Sequence, residues 1–494
     1  MRGVVQAAIV LVVAGLVYLP LLGSRPLDAS EGHRVVPGWT MLRTGDWWRM
    51  EMFELGYLRK PPGMSWAVAT SSALLGETVF AARLPSALAA IALSLLTLVF
   101  VRRWLGGAWG MWAGLACALT PLFWAPGRSA EIEMLNLLGT GMLALGLLDL
   151  VLDQRGAAAR VPVGAIFAAG GVIVCAAAKG PASAGVLLGV LAVVGVLAAT
   201  GRAPRRTLWA AGLATACGLL ALVPIGIALN GANAGPDVVR QDVAGDFLWS
   251  RERLAGVALL LPLAWLSAAP MSLALVPPLF RRVRRVMGPS DDAIRVSAVC
   301  GAAWLASVLL MVVAGVSNAR YAMPAAVLLP PVVAAILKWL DRGGSARGPA
   351  LVVLAGLLTM AAGNLWLSAR PTPDQLAGPV AARMLASGLS GGATAIVWAD
   401  DAIEARPDVL DLLAKAAASD GRRVRVVWAK PRMLAGALPE STRGDAYLLL
   451  RTDRDSGEEL RYRTQIERKG LTPVAKASIR TYEFTLFRRI FTPS

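Results

Sequence analysis

Acidic and basic side chains that could do chemistry stand at a few boundaries of an otherwise apolar chain. Glu131 and Glu133 lie where one apolar segment begins. Lys179 lies where another segment ends, and Arg320 precedes a third. A charged group near a bilayer is costly, so charges placed in this way indicate a functional site. Cations bind phosphate, and a carboxylate can take a proton from an attacking hydroxyl or amine.

More charges lie in the long polar segment after the first apolar run. Glu31, in Asp28-Ala-Ser-Glu31, is a candidate general base, although a solvated loop glutamate is the alternative. Arg59-Lys60-Pro61-Pro62 places two cations before a rigid dipeptide, which suits a lipid-linked phosphate; binding of ordinary anionic headgroups is the alternative. Secondary candidates for the site are Asp28, Arg128, Glu131, Asp242 and Tyr321.

The local sequence also offers structural roles for these charges. Ser129 is expected to cap the helix that follows it, where an acidic Glu131 favours the helix dipole. Residues two apart on a helix point to different faces, so at most one of Glu131 and Glu133 should face a given cleft. Lys179-Gly-Pro predicts a two-residue hinge between spans. The alternative role of Lys179 and Arg320 is to extend their side chains to the lipid headgroups, as isolated cations in membrane proteins do.

The composition is typical of a membrane protein. The 494 residues are 56% hydrophobic and 16% charged, and apolar runs of about 20 residues recur. The net charge of +17 comes largely from arginines in short connections, which is the positive-inside pattern and not a nucleic-acid-binding surface. The four cysteines lie in apolar segments, so they predict neither a disulfide framework nor a metal cluster.

Apolar runs predict eleven spans and one orientation. With a cytoplasmic N-terminus, every inner connection is basic, and Arg128, Glu131, Glu133, Lys179 and Arg320 gather on the outer side. The odd number of spans places the C-terminus outside. The first run is read as a retained span. The predicted spans are residues 3–23, 81–101, 108–124, 131–152, 162–178, 181–200, 207–229, 255–280, 296–316, 321–340 and 349–368.

Two regions outside these spans are expected to fold. The loop after the first span carries short aromatic stretches that suit interfacial helices. After residue 370 the chain becomes charged and mixes strand-like runs with a helical stretch near 408–418, so a small α/β domain is predicted. The expected organisation is an all-α membrane domain over 1–370 and an extracytoplasmic α/β domain over 371–494. The strand-like runs begin at Ala395, Val424, Tyr447 and Tyr482.

Several motifs, taken in order, resemble the GT-C membrane glycosyltransferases, in particular the aminoarabinose transferase and protein O-mannosyltransferase branch (glycosyltransferase family 39-like). The resemblance covers about residues 1–370. It implies transfer of a sugar from a polyprenyl-phosphate donor, with inversion, at the outer face of the cytoplasmic membrane. The acceptor is a lipid, a protein or a glycan. The motifs are Leu42-Arg43-Thr-Gly-Asp46-Trp47, Arg59-Lys60-Pro61-Pro62, Phe80-Ala-Ala-Arg83-Leu84-Pro85-Ser86, Glu131-Ile-Glu133, Lys179-Gly180-Pro181 and Arg320-Tyr321-Ala-Met-Pro324.

The resemblance also implies roles for single residues. Glu31 and Glu133 take acidic positions of the family, Lys60 takes its donor-phosphate lysine, and Lys179 and Arg320 take recurring outer-face cations. The residues predicted to bind the donor phosphate are Arg59, Lys60, Lys179 and Arg320, and those predicted to be catalytic are Glu31 and Glu133. This chain departs from the family pattern at three positions. It has Ser30 where the family has an aspartate, Arg59 where the family often has a glutamate, and Glu133 where the family has an aspartate. No cofactor is expected. A divalent metal is compatible with the family but is not supported by these residues.

Two other functions are compatible with the sequence. A flippase or transporter of lipid-linked sugars would be indicated by charges or broken helices near the middle of the bilayer and by inverted repeats. A non-catalytic relative is compatible with Ser30 and Arg59 in place of acidic residues.

Overall fold

The structure is a computed structural model, and it describes most of the chain. The described residues are 2–53, 55–57, 60–153, 163–232, 251–269, 271–275, 291–316, 318–341, 351, 354–356, 358–363, 365, 370–389, 394–399, 406–428, 445–453, 471–479 and 482–489.

Helices dominate the first three quarters of the chain, and strands appear mainly in the last quarter. The α-helices are α1 Arg2–Tyr18, α2 Ala29–Thr44, α3 Gly63–Leu75, α4 Val79–Leu105, α5 Trp109–Ala118, α6 Pro121–Gly127, α7 Ile132–Leu152, α8 Val163–Lys179, α9 Ala184–Ala199, α10 Arg206–Ala232, α11 Arg251–Ser267, α12 Asp291–Val313, α13 Leu329–Leu340, α14 Pro373–Ser387 and α15 Pro407–Ser419. Short 3₁₀ helices span Gly180–Ser183, Met271–Leu275, Ala319–Tyr321 and Met323–Leu328. The strands are β1 Glu51–Met52, β2 Leu55–Gly56, β3 Thr394–Ala399, β4 Arg423–Trp428, β5 Asp445–Asp453, β6 Leu471–Ile479 and β7 Tyr482–Arg489.

The chain forms two compact units, each built from separate stretches of sequence. The helical unit contains Met1–Leu22, Leu58–Met64 and Arg83–Leu367. The mixed unit contains Gly23–Tyr57, Ser65–Ala82 and Ser368–Ser494. The predicted domain boundary at residue 370 stays a prediction.

Among the described residues, six helical segments are long and apolar enough to cross a membrane. They carry large apolar side chains on their outer faces, such as Leu220 on α10, which is 67% exposed. The segments agree with predicted spans, except that Val163–Ala199 joins two of them through a 3₁₀ turn. They are Val79–Leu105, Ile132–Leu152, Val163–Ala199, Arg206–Leu229, Asp292–Val313 and Met323–Leu340.

Two predicted spans differ locally because of proline. The expected span 108–124 is divided into α5 and α6, and Pro121 starts the second helix because proline has no N–H to donate to a preceding turn. In the expected span 321–340, a 3₁₀ helix that begins next to Pro324 precedes α13. The total of eleven spans stays a prediction.

Close packing of α7 against α8 depends on glycine. A Cβ on Gly146 would lie 2.5 Å from the carbonyl oxygen of Gly164, and one on Gly171 would lie 2.4 Å from the backbone nitrogen of Leu143. Higher residue numbers on α7 therefore face lower numbers on α8, so the two helices are antiparallel. Small residues that allow backbones to approach are a common device for packing helices in membranes.

The mixed unit contains the predicted α/β fold. Its five-stranded sheet has the order β4-β3-β5-β7-β6, with parallel pairing of β3 to β4 and β5 and antiparallel pairing of β7 to β5 and β6. The four predicted strands and the helix near 408–418 are confirmed as β3, β4, β5, β7 and α15. Strand β6 was not predicted, because Pro473 interrupts its pattern; the register shifts there, and β6 lies at the edge of the sheet, where proline is tolerated.

A charged cluster joins the early and late stretches of the mixed unit. Arg43 at the end of α2 contacts Glu77 and, at 3.2 Å, Asp411 on α15. Lys415 bridges Asp411 at 2.8 Å and stacks over the ring of Trp39 at 3.8 Å. Helices α2 and α3 lie where short helices are predicted after the first apolar run; their placement on the membrane surface stays a prediction. The contacts of Arg43 and Trp39 attach this region to α15.

Replacement of Gly171 by alanine should destabilise the helical unit by about 1–3 kcal/mol, because the added methyl group overlaps the backbone of α7. Gly212→Ala on α10 is the matched control, since a Cβ there meets nothing within 4 Å. Thermal unfolding in detergent measures both. Equal stability of the two variants would show that the α7–α8 contact is looser than described.

Candidate active site

One carboxylate in the helical unit receives two cations. Lys179 Nζ lies 3.0 Å from Glu133 Oε1, and an Arg320 terminal nitrogen lies 2.8 Å from the same oxygen. Glu133 is only 5% exposed, and its other oxygen, Oε2, has no hydrogen-bond partner among the described residues. A buried acceptor without a partner costs about 1–3 kcal/mol. Glu133 Oε2 can therefore accept a hydrogen bond from a ligand.

The antiparallel pairing of α7 and α8 explains why Glu133 and Lys179 meet. Glu133 is in the first turn of α7, and Lys179 is the last residue of α8, so both stand at the same end of the pair. A carboxylate is favoured at a helix N-terminus and a cation at a C-terminus, so each charge also complements the dipole of its own helix.

Arg320 comes from the 3₁₀ helix Ala319–Tyr321. Its backbone nitrogen donates to Asn318 Oδ1 at 2.9 Å, and its side chain is 51% exposed. Burial of the guanidinium favours the neutral form, but the charge and hydrogen bond of Glu133, together with Glu131 and Tyr321, outweigh this effect and raise the pKa of Arg320. Tyr321, the next residue, lies under Lys179, whose Nζ is 5.1 Å from the ring centroid. Such contacts stabilise a cation next to an aromatic face.

Glu131 also reaches this cluster, in contrast to the expectation that only one acid would. Its Oε2 is 3.9 Å from Arg320. The expectation assumed that both acids are on a helix, but Glu131 is the N-cap residue of α7 with extended backbone angles. The prediction that Ser129 caps this helix is wrong, because the Ser129 hydroxyl points back to the Pro126 carbonyl at 3.5 Å.

Lys60 belongs to the same neighbourhood. Its ammonium group is close enough to Lys179 for the two charges to repel each other. The segment after it packs tightly on the end of α8, since a Cβ on Gly63 would lie 2.5 Å from the Ala177 carbonyl oxygen. Arg59 and Asp242 lie outside the described residues. Three cations, Lys60, Lys179 and Arg320, therefore stand near one end of the α7–α8 pair.

Arg128 has a different environment. It is 4% exposed and donates to the carbonyl oxygens of Val17 at 3.0 Å, Tyr18 at 3.1 Å and Pro20 at 2.6 Å. The last carbonyls of a helix lack partners within the helix. Arg128 therefore caps the C-terminal end of α1, a structural role that the sequence did not reveal.

Glu31 and Asp28 lie in the mixed unit and form a capping box at the start of α2. The Asp28 side chain accepts from the backbone N–H groups of Ser30 and Glu31, and Glu31 Oε2 accepts from the Asp28 N–H at 3.0 Å. Glu31 is 1% exposed, so it is not the solvated loop residue of the alternative interpretation. One of its oxygens has a structural role in the helix cap.

Buried polar residues next to the cluster were missed at the sequence level. Asn136, Thr140 and Ser183 are each at most 3% exposed and lie close to Glu133 and Lys179 in sequence. Polar residues inside apolar segments are a signal that would have found them. Within the described part of the chain, no group of three or more His, Cys, Asp or Glu side chains is arranged to hold a metal ion.

Comparison of the fold with solved structures identifies its class. ArnT from Cupriavidus metallidurans in the apo state matches with a TM-score of 0.65 and 17% identity over 100% of both chains. The structure of that protein bound to undecaprenyl phosphate matches with a TM-score of 0.65 and 17% identity over 99% of both chains. This chain has the GT-C glycosyltransferase fold.

Other comparisons agree with the GT-C fold. The dolichyl-phosphate-mannose-protein mannosyltransferase family matches residues 59–227. The Archaeoglobus fulgidus oligosaccharyltransferase in complex with Zn and sulfate matches with a TM-score of 0.54 and 13% identity, over 85% of this chain and 62% of that one. No curated protein matches the sequence significantly. The chain is thus a polytopic helical membrane protein with a small C-terminal α/β region.

The two acids should differ in importance. With sugar transfer as the proposed activity, Glu133→Gln should lower it by about a hundredfold or more, because the change removes the charge that holds Lys179 and Arg320 together. Glu131→Gln should lower it only a few-fold, since its 3.9 Å contact with Arg320 is long. Initial rates with a labelled polyprenyl-phosphate sugar measure both. Equal, mild losses would contradict the central role of Glu133.

Proposed function

We propose that this protein is a glycosyltransferase that moves a sugar from a polyprenyl-phosphate donor to a lipid, protein or glycan acceptor. The observation that carries the proposal is the convergence of Lys179 and Arg320 on Glu133, with Lys60 beside them. The GT-C fold and its similarity to an ArnT structure that binds undecaprenyl phosphate support it.

The charge balance of the cluster suits a departing phosphate. Three cations and the two carboxylates Glu131 and Glu133 leave a net positive site, so a phosphate can bind without displacing every existing ion pair. When the glycosidic bond breaks, the electron pair stays with the phosphate oxygen, and negative charge develops there. Cations already fixed in place stabilise that charge without reorganisation, and one such contact is commonly worth about a hundredfold in rate or more.

The acceptor needs a base on the opposite face of the sugar from the leaving phosphate. In-line attack from that face inverts the anomeric carbon, and a carboxylate takes the proton of the attacking hydroxyl or amine. We assign this role to Glu31, because the sequence resemblance puts an acidic catalytic residue at this position and the side chain is buried. Glu133 has a different role, in which Oε2 accepts a hydrogen bond from the polyprenyl-phosphate sugar.

The reaction is assigned to the outer face of the cytoplasmic membrane, and the C-terminal α/β region to the same side. The positive-inside distribution of arginines in the sequence supports this orientation. A flippase would bind the same lipid phosphate but release the sugar still attached to it. Formation of free polyprenyl phosphate during turnover therefore separates the two functions.

Lys179→Ala should lower transfer by about a hundredfold, because it removes one of the two cations that contact Glu133. Lys338→Ala is the matched control, since Lys338 is also in the last turn of an apolar helix and pairs with a carboxylate, Asp292. Transfer and release of polyprenyl phosphate in proteoliposomes are the measurements. Equal effects of the two variants would contradict a phosphate site at Lys179.

Glu31→Gln separates the proposed base from the helix cap. Glutamine can still accept the Asp28 N–H bond, so the thermal stability should hold while transfer falls by about a hundredfold or more. Glu31→Ala also removes the bond from the Asp28 N–H, while Asp28 still caps the helix, and should lower stability by about 0.5–1.5 kcal/mol. A fully active Glu31→Gln protein would exclude Glu31 as the base and leave Glu133 or Asp28.

A further inference from the structure

Beside the charged cluster lies a buried polar cluster that consists of Asn136 and Thr140 on α7, Cys175 on α8 and Ser183 in the 3₁₀ turn after α8. All four residues are at most 5% exposed. Ser183 donates to Asn136 Oδ1 at 3.0 Å, and the hydroxyl oxygens of Thr140 and Ser183 are 2.7 Å apart. The Thr140 hydroxyl oxygen also lies 2.7 Å from the Asn136 carbonyl oxygen, so hydrogen bonds connect Asn136, Thr140 and Ser183 away from water.

The polar cluster holds the backbone on both sides of Lys179. Cys175 precedes Lys179 by one helical turn, and its Sγ lies 3.8 Å from the Asn136 carbonyl oxygen. Ser183 follows Lys179 by the length of the 3₁₀ turn. Both contacts reach the Asn136–Thr140 turn of α7, which is the turn after Glu133.

The turn that follows α8 lacks the hydrogen bonds of a continuous helix, so bonds to α7 can stabilise it. Helix α8 ends at Lys179, and Gly180 has a φ of 65°, a conformation that turns the chain away from the helix axis. The helical hydrogen bonds of α8 fix the Lys179 backbone, but they do not fix the direction that the chain takes after Gly180. The Ser183–Asn136 bond supplies that direction.

We propose that Asn136, Thr140 and Ser183 are positioning residues that fix Lys179 for binding of the donor phosphate. The proposal rests on the proposed function of the charged cluster. These residues contact neither the phosphate nor the sugar; they act through Lys179.

The probe is undecaprenyl phosphate, whose binding to the full-length protein in detergent is measured by titration. Ser183→Ala and Thr140→Val should each weaken binding about three- to tenfold, the usual effect of one lost hydrogen bond. Ser183→Thr keeps the hydroxyl and should restore most of the affinity. Ser307→Ala is the matched control, since the buried Ser307 hydroxyl donates only to the Ala303 carbonyl of its own helix at 2.6 Å, and its affinity should equal that of the wild type.

A double-variant cycle decides between positioning and simple packing. If Ser183 acts through Lys179, Ser183→Ala should have little further effect in a Lys179→Ala background. Equal fold-losses in the two backgrounds would assign the cluster to helix packing and overturn the proposal, as would a Ser183→Ala protein that binds like Ser307→Ala. If wild type and Lys179→Ala bind undecaprenyl phosphate equally, the phosphate site itself fails, and the positioning role fails with it.

Discussion

The close contact between α7 and α8 is the constraint on which the site depends. Glycines on both helices allow their backbones to touch, and this contact fixes the register of the antiparallel pair. The register determines that the first turn of α7 meets the last turn of α8. Glu133 and Lys179 consequently face each other without help from a loop. Larger side chains along the contact would separate the helices and the charges together.

The charged side chains that could act on a ligand lie at one end of the α7–α8 pair. Each of the two charges complements the dipole of its helix, and Arg320 and Lys60 add positive charge from other elements. At the opposite end of α7, Asp149 pairs with Arg103 at 3.1 Å and accepts from the indole of Trp104 at 2.9 Å, so its charge is satisfied within the protein. The two ends of one helix thus differ: one is closed by protein partners, and the other keeps an oxygen for a ligand.

Much of the fold could be predicted from sequence, because apolar length and strand alternation are local signals. The C-terminal strands and most of the long apolar helices were found in this way. The sequence predicts that the charged residues share one pocket on one side of the membrane, but it does not predict which cation pairs with which carboxylate. Local patterns do not show tertiary contacts. Arg128 is a candidate site cation in the sequence, but in the structure it caps α1. Ser129 is predicted to cap α7, but its hydroxyl donates to the carbonyl of Pro126, which precedes it. The pairing of Ser183 with Asn136 depends on the register of two helices, which no local pattern encodes.

The mixed unit has a consequence for the biogenesis of the protein. Arg43 and Asp411 are 368 positions apart, and the apolar core of this unit combines Val36 and Met52 with residues of α14, α15 and the sheet. The segment that carries Glu31 leaves the ribosome early, but most of its packing partners are synthesised last. It must wait through the insertion of nearly every membrane helix before it can fold. Synthesis of α15 and of the sheet is therefore the step that completes the packing around this segment, and a product that stops before residue 371 would have the membrane helices but not this packing.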